Sequence, residues 1–381
     1  MRMLVLGAGL QGSACAYDLL QNPDVKTVRL ADLHTGHLPQ FLAPYSGHRL
    51  IFTPLDVRDK EAVLALMRES DAVMSAIPYY FNFELAELAV QAGVHFSDLG
   101  GNTEIVFKQK ELDAEAKKKN ITVIPDCGLA PGMVNILAEY GIQQLDTVDS
   151  VRIFVGGLPQ HPEPPLNYQI VYSLEGVLDY YTTLSWVLRK GKRTRVKALS
   201  EIEAVYFGGS LGELEGFHTA GGLSTMAFRY EGKIPTMEYK TLRYPGHARI
   251  MEAIRELGLL ELKAVDVKGM KVVPRDLVVA AMGPRLTKPN AYDLVALRVY
   301  AEGKKGGKPK RIGWEMVDYY DEENGISAME RSTGYSLSIT GQMQARGEIG
   351  KAGVFTPDEA IPAEKYIKEL AQRGVMIREM R

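Results

Sequence analysis

The chain has 381 residues, of which 46% are apolar and two are cysteines, with 45 lysines and arginines against 47 aspartates and glutamates. This length predicts two or three domains with ample chain for a buried core, and the near-balanced charge offers no basic field for nucleic acid. Two cysteines cannot form a disulfide framework, and no stretch is long and apolar enough to span a membrane, so composition predicts a cytoplasmic protein.

The first third of the chain alternates short apolar runs with segments of helical spacing. Strands are predicted at residues 3–6, 27–31, 50–54, 72–77, 95–98 and 122–125. Helices are predicted between them at residues 12–21, 60–69, 82–92 and 103–120. Strands separated by helices of this length are typical of a Rossmann-type, doubly wound parallel sheet.

The pattern changes after residue 128, where longer alternating stretches and a proline-rich turn at 156–167 appear. Helices are predicted at residues 133–142, 176–189, 245–257 and 363–373. Strands are predicted at residues 148–155, 228–230, 237–242, 291–301 and 311–320, the last two joined by a hairpin-like turn. This half of the sequence therefore favours an α/β domain with a mainly antiparallel sheet.

A glycine pattern lies between the first predicted strand and the first predicted helix. It reads Gly7-Ala8-Gly9-Leu10-Gln11-Gly12, and in this context the spacing is typical of dinucleotide binding. Gly7 is expected to permit the tight turn, Gly9 the approach of a pyrophosphate, and Gly12 close packing of helix on strand. Leu10 and Gln11 complete the predicted cofactor-binding loop, and the helix N-terminus offers N–H groups to the phosphates.

Asp32 ends the second predicted strand about 20 residues after Gly12, the position of the acidic residue that binds the cofactor ribose. Its carboxylate can accept hydrogen bonds from both ribose hydroxyls and would repel a 2′-phosphate. The sequence therefore favours NAD over NADP, although Arg29, His34 and His37 lie close in sequence and keep NADP open.

Later strand ends are expected beside the same cofactor, because ligands bind outside the carboxyl ends of such strands. Asp56 and Val57 follow the third strand and are predicted to flank the adenine, with a helix cap as the alternative role of Asp56. Ala76, Ile77 and Pro78 end the fourth strand beneath the predicted nicotinamide ribose. Asp98 ends the fifth strand before the flexible backbone of Gly100 and Gly101, and is a candidate catalytic carboxylate.

These residues, together with several segments further along, resemble the saccharopine dehydrogenase-like family, and within it most closely the NAD-dependent lysine 6-dehydrogenases. The segments are residues 7–12, 75–80, 98–102, 126–132 (Asp-Cys-Gly-Leu-Ala-Pro-Gly), 155–159 (Val-Gly-Gly-Leu-Pro) and 241–246 (Thr-Leu-Arg-Tyr-Pro-Gly). The resemblance implies two domains: a dinucleotide-binding domain at 1–128, to which 345–381 return, and a substrate-binding and oligomerisation domain at 129–344.

The resemblance also implies an activity. It is the NAD-dependent oxidative deamination of L-lysine at the ε-carbon, which yields allysine, ammonia and NADH, with allysine cyclising to 1-piperideine-6-carboxylate. Saccharopine or carboxynorspermidine dehydrogenase/reductase activity is the alternative within the family. A protein that senses NAD without catalysis is the alternative from another class.

Carried over by position, Ile77 and Pro78 match cofactor-contacting residues, and Tyr79 and Asp98 match substrate-contacting ones. Leu129 is a further candidate for the cofactor and Cys127 for the substrate, with a small buried residue beside the cofactor as the alternative role of Cys127. Saccharopine reductases have Ser-Arg-Gly where this chain has Ser173-Leu174-Glu175-Gly176. Glu175 cannot bind a carboxylate but can pair with an ammonium group, which favours a diamino substrate. A solvated carboxylate at a helix start is the alternative role of Glu175.

The proposed chemistry needs a proton acceptor and a group that holds the substrate carboxylate. His218, in a glycine-rich stretch, can titrate near neutral pH and is a catalytic candidate beside Asp98. A structural role is the alternative for His218, and a turn or cap role is the alternative for Asp98. Thr219 is predicted to contact substrate. Arg243 is the candidate for the α-carboxylate, with a surface ion pair as its alternative role. The loosely spaced histidines predict no metal site. The expected partners are a small amino-acid substrate and further copies of the chain.

Overall fold

The computed structural model describes residues 1–36, 38–171, 173–209, 211–288 and 291–380. Within these ranges, none of the helices combines the length and the apolar character needed to cross a lipid bilayer. His37, which the sequence analysis named near the cofactor, lies outside the described residues.

The strands of the described chain are β1 (Arg2–Leu6), β2 (Thr27–Asp32), β3 (Leu50–Pro54), β4 (Ala72–Ser75), β5 (His95–Asp98), β6 (Thr122–Ile124), β7 (Thr147–Pro159), β8 (Ser185–Arg189), β9 (Lys192–Val196), β10 (Glu203–Phe207), β11 (Gly212–His218), β12 (Thr236–Arg243), β13 (Val265–Val267), β14 (Met270–Val272), β15 (Asp293–Lys305), β16 (Lys308–Tyr319), β17 (Gly353–Val354) and β18 (Arg378–Glu379).

The α-helices are α1 (Leu10–Gln21), α2 (Lys60–Arg68), α3 (Asn82–Ala92), α4 (Thr103–Lys110), α5 (Asp113–Lys118), α6 (Met133–Gln143), α7 (Leu174–Thr182), α8 (Met226–Arg229), α9 (His247–Glu256), α10 (Pro274–Leu286), α11 (Ala328–Ala345), α12 (Pro357–Ala360) and α13 (Ala363–Gln372). Two short 3₁₀ helices lie at Gln40–Tyr45 and Tyr79–Phe81.

The first sheet is parallel and, in the described chain, has seven strands in the order β17-β6-β5-β4-β1-β2-β3. Its central strands β1 and β4 are buried almost throughout, because helices cover both faces and continuous apolar runs are stable there. The order reverses at β1, so the carboxyl ends of β1 and β4 flank the crevice where such sheets bind ligands. The predicted Rossmann-type fold is confirmed.

The second sheet is mixed, with the path β10-β11-β12-β7-β15-β16-β18 among the described residues, and β8 and β9 branching from β12. Its long centre is the hairpin of β15 and β16, and β15 also pairs antiparallel with β7. The pairing of β12 with β7 is parallel. The predicted second domain with a mainly antiparallel sheet is confirmed.

The C-terminal segment contributes to both sheets. Strand β17 extends the first sheet beside β6, and β18 pairs with β16 of the second sheet. Before them, α11 packs against α1, β4 and β5 and also against β15. The Nε atom of Arg373 lies 2.6 Å from the Oδ1 atom of buried Asp18, which ties the end of α13 to α1.

Three predicted elements differ from the observed ones, and several observed elements, α11 among them, were not predicted. Residues 176–189 form the end of α7 and then strand β8, where the sequence Ser-Trp-Val-Leu-Arg has strand character. Residues 228–230 lie at the end of α8 and not in a strand. The predicted helix at 103–120 is two helices, and α11 was not predicted.

Candidate active site

The glycine loop has a geometry that suits a bound dinucleotide. Gly7 has φ of +99°, and a Cβ atom there would lie 2.8 Å from the carbonyl oxygen of Ala76. Gly9 begins α1 without a side-chain cap, and the place of its missing Cβ is open space. The first N–H groups of a helix lack intrahelical partners, so this end of α1 can accept a pyrophosphate. The residues present therefore fit the cofactor.

Asp32 is fixed by the loop that it faces. One carboxylate oxygen accepts a hydrogen bond from the N–H of Ala8 at 2.6 Å, and the other accepts from the N–H of His34 at 2.8 Å. The carboxylate borders a cavity of about 380 Å³ on the β2 side of the glycine loop. The described residues around this cavity include the predicted cofactor residues Gly7, Asp32, Asp56, Val57, Ile77 and Pro78.

Asp56 makes a local pair within this cavity. Its carboxylate lies 2.6 Å from the guanidinium of Arg58, and hydrogen bonds from Arg58 lower the pKa of Asp56 to about 2. Among the described residues, the cavity therefore presents the carboxylate of Asp32 without an ion-pair partner, beside the pair of Asp56 and Arg58. Leu10, by contrast, borders a separate and wider cavity of about 1060 Å³.

Another cavity, of about 230 Å³, lies between the two sheets next to Gln11 of the glycine loop. The first domain and the segment that follows it contribute Gln11, residues 99–101 and residues 128–131, which include Leu129. The second sheet and its loops contribute Val155, Gly157, Thr219, Ala220, Tyr239, Thr241 and Arg243. Helical residues complete it: Tyr180 from α7, and Met329 and Thr333 from α11.

Among the described residues that line the cavity between the two sheets, the one with a charged side chain is Arg243. It lies at the end of β12, is buried, and stacks over the ring of Tyr168. Thr219 and Thr241 are neighbours in the same wall, with their hydroxyl oxygens 2.7 Å apart. The wall therefore combines a preorganised cation with hydroxyl groups, as a carboxylate site requires.

Asp98 lies behind the cavity wall and does not line it. Its carboxylate accepts a hydrogen bond from the side-chain amide of Gln109 at 2.7 Å, and the residue is fully buried. Burial raises the pKa of Asp98 to about 7. The structure thus gives Asp98 a proton affinity suited to acid–base work near neutral pH but separates it from the cavity by the chain at residues 99–101.

Asp126 is a second buried carboxylate at the same place, contributed by the end of the neighbouring strand β6. Its Oδ1 accepts a hydrogen bond from the N–H of Gly101 at 3.1 Å, and its Oδ2 accepts one from the hydroxyl of Ser224. Burial raises the pKa of Asp126 to about 6. This residue joins the first-domain wall of the cavity to a second-domain loop, and the sequence analysis did not select it.

Three predicted substrate-contacting residues are not on the cavity wall. Cys127 is buried, its thiol donates to the carbonyl oxygen of Ile124 at 3.0 Å, and burial raises its pKa. Glu175 is exposed in the first turn of α7, the position of its alternative role as a solvated helix-start carboxylate. Tyr79 is 40% exposed.

His218 points into a charged cluster and does not line the cavity that its neighbour Thr219 borders. Its Nε2 lies 3.1 Å from a Glu201 oxygen and 4.0 Å from a Glu238 oxygen. In the part of the chain that the structure describes, these three residues form a cluster whose possible ligand atoms lie close enough together to hold a metal ion. The guanidinium of Arg189 lies 2.7 Å from both carboxylates and already supplies the positive charge. Burial lowers the pKa of His218.

Tyr180 borders the cavity from α7, and the sequence analysis did not select it. Met329 and Thr333 also border it, from a helix that the sequence did not predict. A parallel sheet with a glycine loop, a carboxylate at the end of β2 and a cavity beside them is the arrangement typical of a dinucleotide-binding protein.

The family follows from the sequence matches. Residues 3–124 match the saccharopine dehydrogenase NADP binding domain, and residues 128–375 match the saccharopine dehydrogenase C-terminal domain. The chain belongs to the saccharopine dehydrogenase family.

Two proteins that are similar in sequence to this chain are longer than it is. Alpha-aminoadipic semialdehyde synthase, mitochondrial, of Mus musculus is 27% identical over 275 residues, which are 69% of this chain and 29% of the relative. Saccharopine dehydrogenase (NADP(+), L-glutamate-forming) of Saccharomyces cerevisiae is 26% identical over 309 residues, 77% of this chain and 66% of the relative. The chain therefore matches less than two thirds of the length of either relative.

One solved structure shows the same fold along the whole chain. The apo saccharopine dehydrogenase (L-Glu forming) from Saccharomyces cerevisiae superposes with a TM-score of 0.81 at 22% identity, covering 100% of this chain and 99% of that one.

Proposed function

We propose that this protein catalyses the NAD-dependent oxidative deamination of L-lysine at its ε-carbon, giving allysine, ammonia and NADH. The observation that carries the proposal is the cavity beside the glycine loop, whose one charged lining residue among those described is Arg243. One buried guanidinium matches one substrate carboxylate, and a saccharopine molecule would bring further carboxylates without partners. The volume of about 230 Å³ is below the range of roughly 300 to 1,000 Å³ typical of sites for larger ligands.

The choice of NAD rests on Asp32. Its carboxylate lies at the predicted ribose position with no cation paired to it in the described chain, and a 2′-phosphate placed there would meet a like charge. The family model describes an NADP binding domain, so the two cofactors are compared directly in the experiment below.

In this proposal the chain binds, orients and deprotonates the substrate, and the bound nicotinamide supplies the hydride acceptor. Arg243 holds the α-carboxylate, with Thr219 and Thr241 beside it, so that the ε-carbon is directed to the glycine loop. The ε-amine has to lose a proton, since its ordinary pKa is about 10.4. Loss of a hydride from the ε-carbon to the nicotinamide and of a proton from the amine leaves an imine. A water then adds to the imine carbon, and ammonia leaves.

Saccharopine oxidation is the second candidate, and the names of the relatives favour it. The experiment measures NADH or NADPH formation by the purified chain with L-lysine, saccharopine or carboxynorspermidine as substrate. Reduction of NAD with L-lysine is expected. Reduction with saccharopine but not with lysine would contradict the proposal, and cofactor binding without turnover of any substrate would favour a sensing protein. Self-association of the second domain stays a prediction.

A further inference from the structure

We infer that Asp126 gives the substrate cavity a negative wall that selects ligands carrying an amine. The inference rests on the proposed function and deepens it, because it assigns the recognition of the amine to a residue of this chain. It replaces the role that sequence gave to Glu175, which is exposed and away from the cavity.

The first argument is position. The Oδ1 atom of Asp126 lies 3.1 Å from the backbone nitrogen of Gly101, and both Gly100 and Gly101 line the cavity. A Cβ atom on Gly100 would lie 1.6 Å from that same oxygen, so only glycine lets the carboxylate pack so closely behind the wall. A single layer of backbone therefore separates the charge from the cavity.

The second argument is that the charge is not neutralised. The two carboxylate oxygens accept from Gly101 and from the hydroxyl of Ser224, which are neutral donors. No ion pair within the described ranges joins Asp126 to a lysine or arginine. The titratable groups that interact electrostatically with it are Asp98, Cys127, Asp358 and Tyr180, and none of these brings a positive charge.

A buried carboxylate without a cation favours any positive charge that can approach it, and the low local dielectric strengthens this attraction. A ligand with an amine can bring that charge to the Gly100–Gly101 wall while Arg243 holds its carboxylate. A ligand of the same length that ends in a methyl group gains no electrostatic binding free energy at this wall. The cavity is thereby expected to distinguish L-lysine from L-norleucine, which lacks only the ε-amine.

The test compares dissociation constants of L-lysine and L-norleucine by calorimetry, with the enzyme held in a complex with NADH so that no turnover occurs. Asp126→Asn keeps the shape and can keep both hydrogen bonds but removes the charge. It is expected to weaken lysine about tenfold or more and to change norleucine by less than twofold. Ser224→Ala is the matched control, since it removes one hydrogen bond and keeps the charge, and it is expected to preserve the preference for lysine.

Equal weakening of both ligands in Asp126→Asn, or no change in either, overturns the inference, because a purely structural role would not distinguish them. If Asp126→Asn does not fold, Asp126→Ser keeps an acceptor near Gly101 and takes its place with the same readout. A wild-type protein that binds no L-lysine overturns the proposed function and the inference together. A wild-type protein that binds lysine but fails the comparison of variants overturns the inference alone.

Discussion

The guanidinium carbon of Arg243 lies 4.9 Å from the centroid of the Tyr168 ring, and both side chains are buried. A second contact holds the same guanidinium, because its Nη1 donates to the carbonyl oxygen of Leu242 at 2.8 Å. The cation is thus fixed at the end of β12 before any ligand arrives, which lowers the entropy that binding would otherwise lose. This fixed geometry leads to the first prediction.

Replacing Arg243 by Met is expected to lower kcat/KM for L-lysine by roughly 10- to 150-fold, since a hydrogen bond to a charged group contributes about 1.5 to 3 kcal/mol. Cadaverine, which has the same carbon chain and amines but no carboxylate, is the matched substrate. Its kcat/KM is expected to stay within a few-fold of the wild-type value. An equal loss for both substrates would show that Arg243 acts through the fold.

Asp32→Asn is expected to shift the cofactor preference towards NADPH. The amide oxygen can still accept the hydrogen bond from Ala8, so the loop keeps its support, but the repulsion of a 2′-phosphate is removed. The ratio of the dissociation constants for NADPH and NADH should fall about tenfold, measured by nucleotide fluorescence. A ratio that does not change would remove Asp32 from the ribose site.

Asp98→Asn is expected to flatten the pH dependence of stability. The pKa of Asp98 is about 7 in the folded chain and about 3.9 when unfolded, so the folded state holds more protons between these values. The contribution of Asp98 to the free energy of unfolding of the wild type therefore falls as pH rises from about 4 to about 7. Urea unfolding of both proteins across this window should show the variant gaining relative to the wild type as pH rises. A constant difference between them would contradict the prediction.

Glu175→Gln is expected to leave kcat/KM for L-lysine within twofold of the wild type, because the side chain is exposed in the first turn of α7 and is not on the cavity wall. The steady-state rate with L-lysine measures this. A fall of tenfold or more would restore the role in ammonium binding that the sequence favoured.

Gly334→Ala is expected to lower the free energy of unfolding by about 1 to 3 kcal/mol. The new Cβ atom would lie 2.7 Å from the carbonyl oxygen of Gln11 and 2.9 Å from the backbone nitrogen of Cys15, so α11 would have to move from α1. Gly283→Ala lies within α10 and has open space around it apart from its neighbour Pro284, which offsets the usual gain of alanine in a helix. It is the matched control and is expected to change the free energy of unfolding by less than about 1 kcal/mol. Thermal unfolding of the two variants distinguishes crowding from a general effect of alanine.

The sequence predicted the first sheet well, because buried parallel strands leave continuous apolar runs and glycine loops have a fixed spacing. It missed α11 for a physical reason. This helix is buried on nearly all sides and is rich in serine, threonine and glycine, so it has neither an apolar face nor strong helix propensity. The small residues of α11 are explained by the close approach of α1 at Gly334 and of β4 at Gly341. This explanation requires knowing which elements pack against α11, and the sequence alone does not show that.

The cavity was predictable in part. Arg243, Thr219 and Leu129 lie on its wall as selected from sequence, and their contacts with ligands stay predictions. Glu175, Cys127 and His218 were selected by residue type, but the direction of a side chain depends on strand alternation and packing that local pattern does not show. Asp126 gave no signal, since its position behind two glycines arises only when β5 and β6 are placed side by side.

The C-terminal segment determines whether the two domains can be produced as separate fragments. Residues after 327 supply a helix against α1, a strand to the first sheet and a strand to the second. A fragment ending near residue 128 would therefore leave the buried flank of its parallel sheet open to water, and the remainder would keep a helix with no surface to cover. The two domains are consequently expected to unfold in one cooperative transition, and neither domain is expected to fold when it is fused to another protein.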